Sequence, residues 1–117
     1  MSKIAREEGV PTIIPNAGAN ILTRGQCAKN IFRSSFSNGQ GGLATGLAMA
    51  EAGIKRVVTF TWKYAAGDEL VGGFHDTFKK AGGQVIKDIT VPFPTVEFQS
   101  ALAEIASLKP DAVYSFF

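Results

Sequence analysis

Residues 59–74 read TFTWKYAAGDELVGGF, and the fold of the chain turns on how this stretch divides. An apolar run, Val57-Val58-Thr59-Phe60, breaks into Trp62-Lys63-Tyr64-Ala65-Ala66-Gly67, after which Asp68 and Glu69 open a segment with apolar residues at helical spacing. That is a strand, a loop and a helix N-terminus in succession. In open α/β sheets ligands sit at such junctions, just outside the carboxyl ends of the strands. Trp62 and Tyr64 in the loop are therefore candidate ligand contacts, although both rings would equally suit a cover over the sheet edge.

Downstream, Leu70, Val71, Phe74, Phe78 and Ala81 form one helical stripe, with Asp68 and Glu69 near the positive end of the dipole and Lys79 and Lys80 near the negative end. Gly82-Gly83 ends it. Gln84 to Val91 alternates weakly, as an outer strand does, and Pro92 and Pro94 flank Phe93 and break regular structure. From Val96 to Leu108 the apolar positions return to helical spacing until Lys109-Pro110 stops them, and DAVYSFF (111–117) reads as a last buried strand.

Upstream, the strand that enters the quoted stretch runs from Ile54 to Thr61, with Lys55 and Arg56 at its entry. Before it, Ser37 or Asn38 can cap a helix from Gly39 to Ala52 whose Leu43, Leu47 and Ala50 share a face, with Gly53 as its stop. The abundance of Gly and Ala in that helix predicts close packing against a sheet. Ile31 to Phe36 reads as a strand, 21–30 as irregular or a short helical turn, and Thr12 to Ile14 as another short strand running into the turn residues Pro15 to Asn20. Residues 2–8 read as the last turns of a helix, with Gly9 as its stop. The order is β, β, α, β, α, β, α, β after that first helix, and right-handed crossovers of this kind build an α/β fold, a parallel sheet with flanking helices.

The chain has 117 residues, 45% hydrophobic and 19% charged, which is the composition of one small globular domain. A net charge of +2 with scattered Lys and Arg leaves no electrostatic footprint for nucleic acid. One cysteine, Cys27, and one histidine, His75, exclude an internal disulfide and a Cys/His zinc site. No catalytic constellation is visible: His75 reads as a solvent-facing helix residue, Ser34, Ser35 and Ser37 have no base beside them, and Asp68 and Glu69 point apart. The glycine cluster from Gly39 to Gly46 follows a strand and opens a helix, but its spacing is not G-x-G-x-x-G and no acid closes the next strand. A Rossmann-type dinucleotide-binding enzyme domain is nevertheless kept as an alternative.

The succession VPTIIPNAGANILT, C-x-x-N-IFRSSFSNGQ, RVVTFTWKYAAGDELVGGF and AGGQVIKDITVPFPTVEFQSALAEIASLKPDAVYSFF resembles the middle of a type I periplasmic binding protein, across essentially the whole chain. The nearest group is the branched-chain amino-acid type of extracellular ligand-binding receptor that feeds ABC importers. The resemblance implies a two-lobed protein without enzymatic activity or cofactor, periplasmic at full length, closing on a small carboxylate (amino acid or aromatic acid) in an interlobe cleft and delivering it to an ABC permease. A ligand-sensing regulator of the same fold is a further alternative. The resemblance assigns residues 1–53 to the later part of the first lobe and 54–117 to the first part of the second. It implies ligand contacts at Asn16, Ala17, Gly18 and Ala19 in the first lobe. In the second, the family's aromatic falls at Ala66, with Trp62 and Tyr64 nearby in its place, which favours a bulkier or aromatic carboxylate. Relative to the family, the opening half-lobe, the signal peptide and everything after Phe117 are missing, and Cys27 stands where some members carry a disulfide cysteine. The open sheet edges of such a central fragment predict association with another copy.

Overall fold

The computed structural model describes residues 2–117. They form two compact units, one ending at Asn38 and the other spanning Gly39–Phe117.

In the first unit, helix α1 (Ser2–Glu8) stops at Gly9, whose φ of 67° is a left-handed conformation that glycine adopts without strain. Strands β1 (Thr12–Ile14) and β2 (Ile31–Arg33) pair in parallel, with Ile13 opposite Phe32. A single 3-10 turn at Asn20–Thr23 lies between them. Strand β2 ends three residues before the expected Phe36, and the chain after Arg33 is held by other bonds. The N–H of Ser34 donates to the Ile14 carbonyl at 3.2 Å and that of Asn38 to the Gly18 carbonyl at 2.8 Å.

The second unit is a three-stranded parallel sheet in the order β4-β3-β5 with helices on its faces. Its elements are α2 (Asn38–Glu51), β3 (Arg56–Lys63), α3 (Ala65–Phe78), β4 (Gln84–Pro92), α4 (Gln99–Leu108) and β5 (Ala112–Phe116). Strand β3 is central and covered on both faces, so Val57 through Phe60 are all buried and the strand reads as a continuous apolar run. Alternation sends Val58 and Phe60 into one core with Ile89, Ala101 and Ile105, on the α4 side. Val57 joins Phe74 and Phe78 of α3 and Tyr114 of β5 in the other. Complete burial of Phe74 and Phe78 contributes on the order of 2–3 kcal/mol each.

Helix α2 belongs to the second unit, where it packs on α3 and sends Met49 and Ala50 against the Val57 core. One expectation about it changes. Its contact face is made by Gly39, Gly42, Gly46 and the Leu43 backbone, and Leu47 is exposed. A Cβ on Gly42 would come within 2.7 Å of the Phe74 nitrogen, and one on Gly46 within 2.7 Å of the Phe74 carbonyl oxygen. The close packing expected against a sheet is therefore against a helix.

The amino end of the sheet is fastened by one carboxylate. Asp111 Oδ2 accepts the backbone N–H groups of Arg56 (2.8 Å) and Lys55 (3.0 Å), while Arg56 Nη1 donates to the Lys109 carbonyl at 2.9 Å. The N–H donors of Arg56 and then Lys55 hold the Asp111 carboxyl below the ordinary carboxylate value.

Candidate functional site

Strand β3 extends to Lys63, so Trp62 and Lys63 belong to the strand, and the anticipated loop shrinks to Tyr64 alone. Helix α3 begins at Ala65, three residues before Asp68, which places Ala66 in the first turn and Asp68 at its end. The reason is Gly67. A Cβ there would lie 2.7 Å from the Trp62 carbonyl oxygen and 3.3 Å from the Tyr64 ring, so only glycine lets the helix start this close to the strand it leaves. Asp68 N–H closes the turn on the Tyr64 carbonyl at 3.1 Å.

With the three strands parallel, their carboxyl ends share one edge, where Lys63 is level with Pro92 and Thr61 with Phe116. An aromatic cluster covers that edge. Trp62 stands edge-on to Phe93 (5.1 Å between centroids, 88°) and to Phe117 (5.3 Å, 89°). Tyr64 lies nearly parallel to Phe93 (5.7 Å, 19°) and to Phe116 (6.3 Å, 3°). Phe60 and Phe98 continue the cluster into the α4 core through Phe117. Such edge-to-face and offset pairs are favoured by the ring quadrupoles, by roughly 0.5–1.5 kcal/mol each beyond area burial.

The polar groups at this edge are few. Trp62 Nε1–H donates to the Thr95 carbonyl at 2.8 Å, so it is occupied within the fold. Burial pushes the Tyr64 phenol above its usual pKa. The leading N–H groups of a helix have no intrahelical acceptor, so the start of α3 around Ala66 presents donors and the positive end of a dipole, a setting for a carboxylate.

In the first unit, Asn16 and Ala17 are exposed on the rim of a concavity of about 380 Å³ lined by Ile13, Ile14, Leu22 and Ile31. Gly18 and Ala19 are half-buried, and their carbonyls are occupied within the fold: Gly18 accepts from Asn38 N–H, and Ala19 from Arg33 Nη1 at 2.9 Å. Asn16 and Ala17 are thus the exposed residues of the Asn16–Ala19 set. The expected contacts fall into two sets, Asn16 to Ala19 in one unit and Trp62, Tyr64 and Ala66 in the other.

The sequence reading passed over Phe93, Phe116 and Phe117. Each stands at or just past the carboxyl end of a strand, the same rule that singles out Trp62, but the ends of β4 and β5 become neighbours of Trp62 only through the sheet register. His75 also differs from expectation. Its side chain is only 21% exposed, and Nε2 lies 2.9 Å from Asp88 Oδ1, which accepts from the buried Thr59 hydroxyl at 2.6 Å. The α3 backbone closes on Gly42 and Gly46 and the Leu70 side chain on Gly41, so helix packing accounts for these glycines. Among the described residues there is no group of three or more His, Cys, Asp or Glu able to hold a metal ion, and no helix is long and apolar enough to cross a membrane.

A parallel α/β unit with an aromatic, donor-bearing carboxyl edge is what a small-molecule binding lobe presents, and the comparisons agree in class. The family model for periplasmic binding protein matches residues 1–117, so the chain belongs to the periplasmic binding protein family. Among solved structures, it is similar to the solute binding protein of an ABC transporter from R. palustris in complex with benzoate, with 68% identity and a TM-score of 0.97 over 100% of this chain and 32% of that one. A second, from Rhodopseudomonas palustris BisB5 in complex with 3,4-dihydroxy benzoic acid, is 33% identical with a TM-score of 0.88 over 98% of this chain and 31% of that one. Among curated proteins, the Leu/Ile/Val-binding protein homolog 6 of Brucella abortus (strain 2308) is 25% identical over 99% of this chain and 29% of its own length. The chain therefore spans about a third of the length of the proteins it matches. These relatives are binding proteins by description, not enzymes.

Proposed function

We propose that this chain is part of the solute-binding component of an ABC importer, and that the full-length periplasmic protein takes a small aromatic carboxylate in a cleft between two lobes. The observation that carries the reading is the aromatic edge built from Trp62, Tyr64, Phe93, Phe116 and Phe117 beside the start of α3. Flat rings offer apolar faces and edges to a flat ligand, and a helix N-terminus offers N–H groups to its carboxylate. In this reading Gly39–Phe117 belongs to the second ligand-binding lobe and the residues up to Asn38 to the first, with the division moved from Gly53 to Asn38. Trp62 and Tyr64 contact the ring, the first turn at Ala66 faces the carboxylate, and Asn16 to Ala19 supply contacts from the first lobe. The similarity to structures holding benzoate and 3,4-dihydroxy benzoic acid supports the ligand class.

A second reading, an aliphatic amino-acid ligand, is favoured by the Leu/Ile/Val-binding relative. Calorimetric titration of the full-length protein with benzoate, 4-hydroxybenzoate and leucine decides between them. Saturable binding of the two aromatic acids with no heat from leucine is expected. Binding of leucine alone would establish the second reading, and silence from all three would refute both.

A further inference from the structure

Phe93 is 58% exposed, so burial does not set its position; the turn that carries it does. That turn is closed internally by the Thr95 N–H donating to the Pro92 carbonyl at 2.8 Å. Its tie to the sheet is the Thr95 carbonyl, which accepts the Trp62 indole N–H at 2.8 Å. The other hydrogen bonds described for 93–97 are local, from the Glu97 N–H to Thr95 Oγ1 and from the Gln99 N–H to Glu97 Oε1. Trp62 itself is fixed, as part of central strand β3 and edge-on to Phe117. One side chain therefore both presents a ring to the carboxyl edge and sets where the next ring stands.

We propose that Trp62 is a positioning residue that latches the 92–97 turn through the Thr95 carbonyl, and that Phe93, held by it against Tyr64, is a selectivity-determining ring for planar aromatic carboxylates. This rests on the aromatic-carboxylate reading above and adds to it. Trp62 and Phe93 meet at near right angles while Phe93 and Tyr64 lie nearly parallel, so the three rings form a corner. A flat ring can extend the Tyr64–Phe93 stack or place its edge against the corner, whereas a branched aliphatic chain gains only area there. If the turn is released, Phe93 leaves the corner and the advantage of the flat ligand goes with it.

The test uses the full-length protein and has a ligand-free arm. Backbone hydrogen exchange is compared between wild type and Trp62→Phe, which keeps a ring and removes the donor. Exchange across 92–97 is expected to rise by about three- to tenfold, the worth of one ordinary hydrogen bond. Unchanged exchange there would overturn the latch. In the ligand arm, Trp62→Phe and Phe93→Ala are each expected to weaken benzoate binding by about three- to tenfold while leaving acetate, which has no ring, unaffected. The double variant should lose no more than Phe93→Ala alone, because Trp62→Phe keeps a ring at position 62 and removes only the latch donor, which acts through Phe93. Losses that add, or that fall equally on acetate, would overturn the assignment of selectivity to Phe93. Phe93→Leu, an apolar replacement at an exposed position, keeps the arm decisive if the Trp62 variant does not fold. A wild-type protein that binds no aromatic acid refutes the ligand reading and the selectivity role with it, while the exchange arm still judges the latch.

Discussion

Gly67 decides how the sheet hands over to α3, through a backbone approach that tolerates no Cβ beside the Trp62 carbonyl. Gly67→Ala is expected to lower stability by about 1–3 kcal/mol in urea unfolding, with a loss of ligand affinity larger than the stability change alone requires, because the first turn at Ala66 shifts. An unchanged midpoint would mean that the helix start can move freely. Asp111 acts at the opposite end of the sheet. Its folded-state pKa lies below the ordinary 3.8 because it accepts the N–H groups of Arg56 and Lys55. A depressed carboxylate pKa contributes stability above the unfolded value, and that contribution is lost as pH falls through the folded one. Thermal midpoints of wild type and Asp111→Asn should therefore differ at neutral pH and converge as pH drops below about 3.8. A gap that persists at pH 2 would show that the pairing is not the cause.

Helices α2 and α3 meet through glycine, and the two adjacent glycines of α3 separate the roles of that residue. A Cβ on Gly72 meets nothing within 4 Å, whereas one on Gly73 would come within 2.5 Å of the Gly39 carbonyl oxygen and 3.1 Å of the Leu43 nitrogen. Gly72→Ala should stabilise by roughly 0.5–1 kcal/mol through helix propensity alone. Gly73→Ala should destabilise by about 1–3 kcal/mol because α2 must move away. The Thr77 hydroxyl, donating to the Leu43 carbonyl at 2.8 Å, ties the same pair together, so separation of the helices also exposes that acceptor. Parallel urea titrations of the two variants test this, and equal effects would contradict the packing.

The units differ in how much they bury. The second has a central strand covered on both faces and two apolar cores, while the first has a two-stranded sheet with Ile13 at 70% and Phe32 at 57% exposure on paired positions. A two-stranded sheet has little stability of its own. Backbone amides of β1 and β2 in this chain are therefore expected to exchange at least about a hundredfold faster than those of Val57–Phe60, because local opening there gives up little buried area. Comparable protection in both would show that the paired face of β1 and β2 is covered in solution, as association with another copy would cover it.

The order of elements was legible from the amino-acid sequence, because helix and strand periods differ and the stops are chemical: Gly9, Gly53 and the Lys109-Pro110 step end segments where expected, whereas α3 ends at Phe78, short of the expected stop at Gly82. So was the carboxyl edge as the place to look, since Trp62 and Tyr64 could be counted from the end of an apolar run. Tertiary structure alone decided what surrounds them. Phe93, Phe116 and Phe117 come from strands that are distant along the chain and level only once the parallel register is set. It also decided that the glycines of α2 face a helix, that His75 meets Asp88, and that the units divide at Asn38. Periodicity records which face of an element is apolar, but not which other element will cover it. The TFTWKYAAGDELVGGF stretch shows both limits: its strand and helix were readable as elements, but their bounds were not, and the expected Trp62–Gly67 loop is a single-residue junction because Gly67 must fit beneath the Trp62 carbonyl.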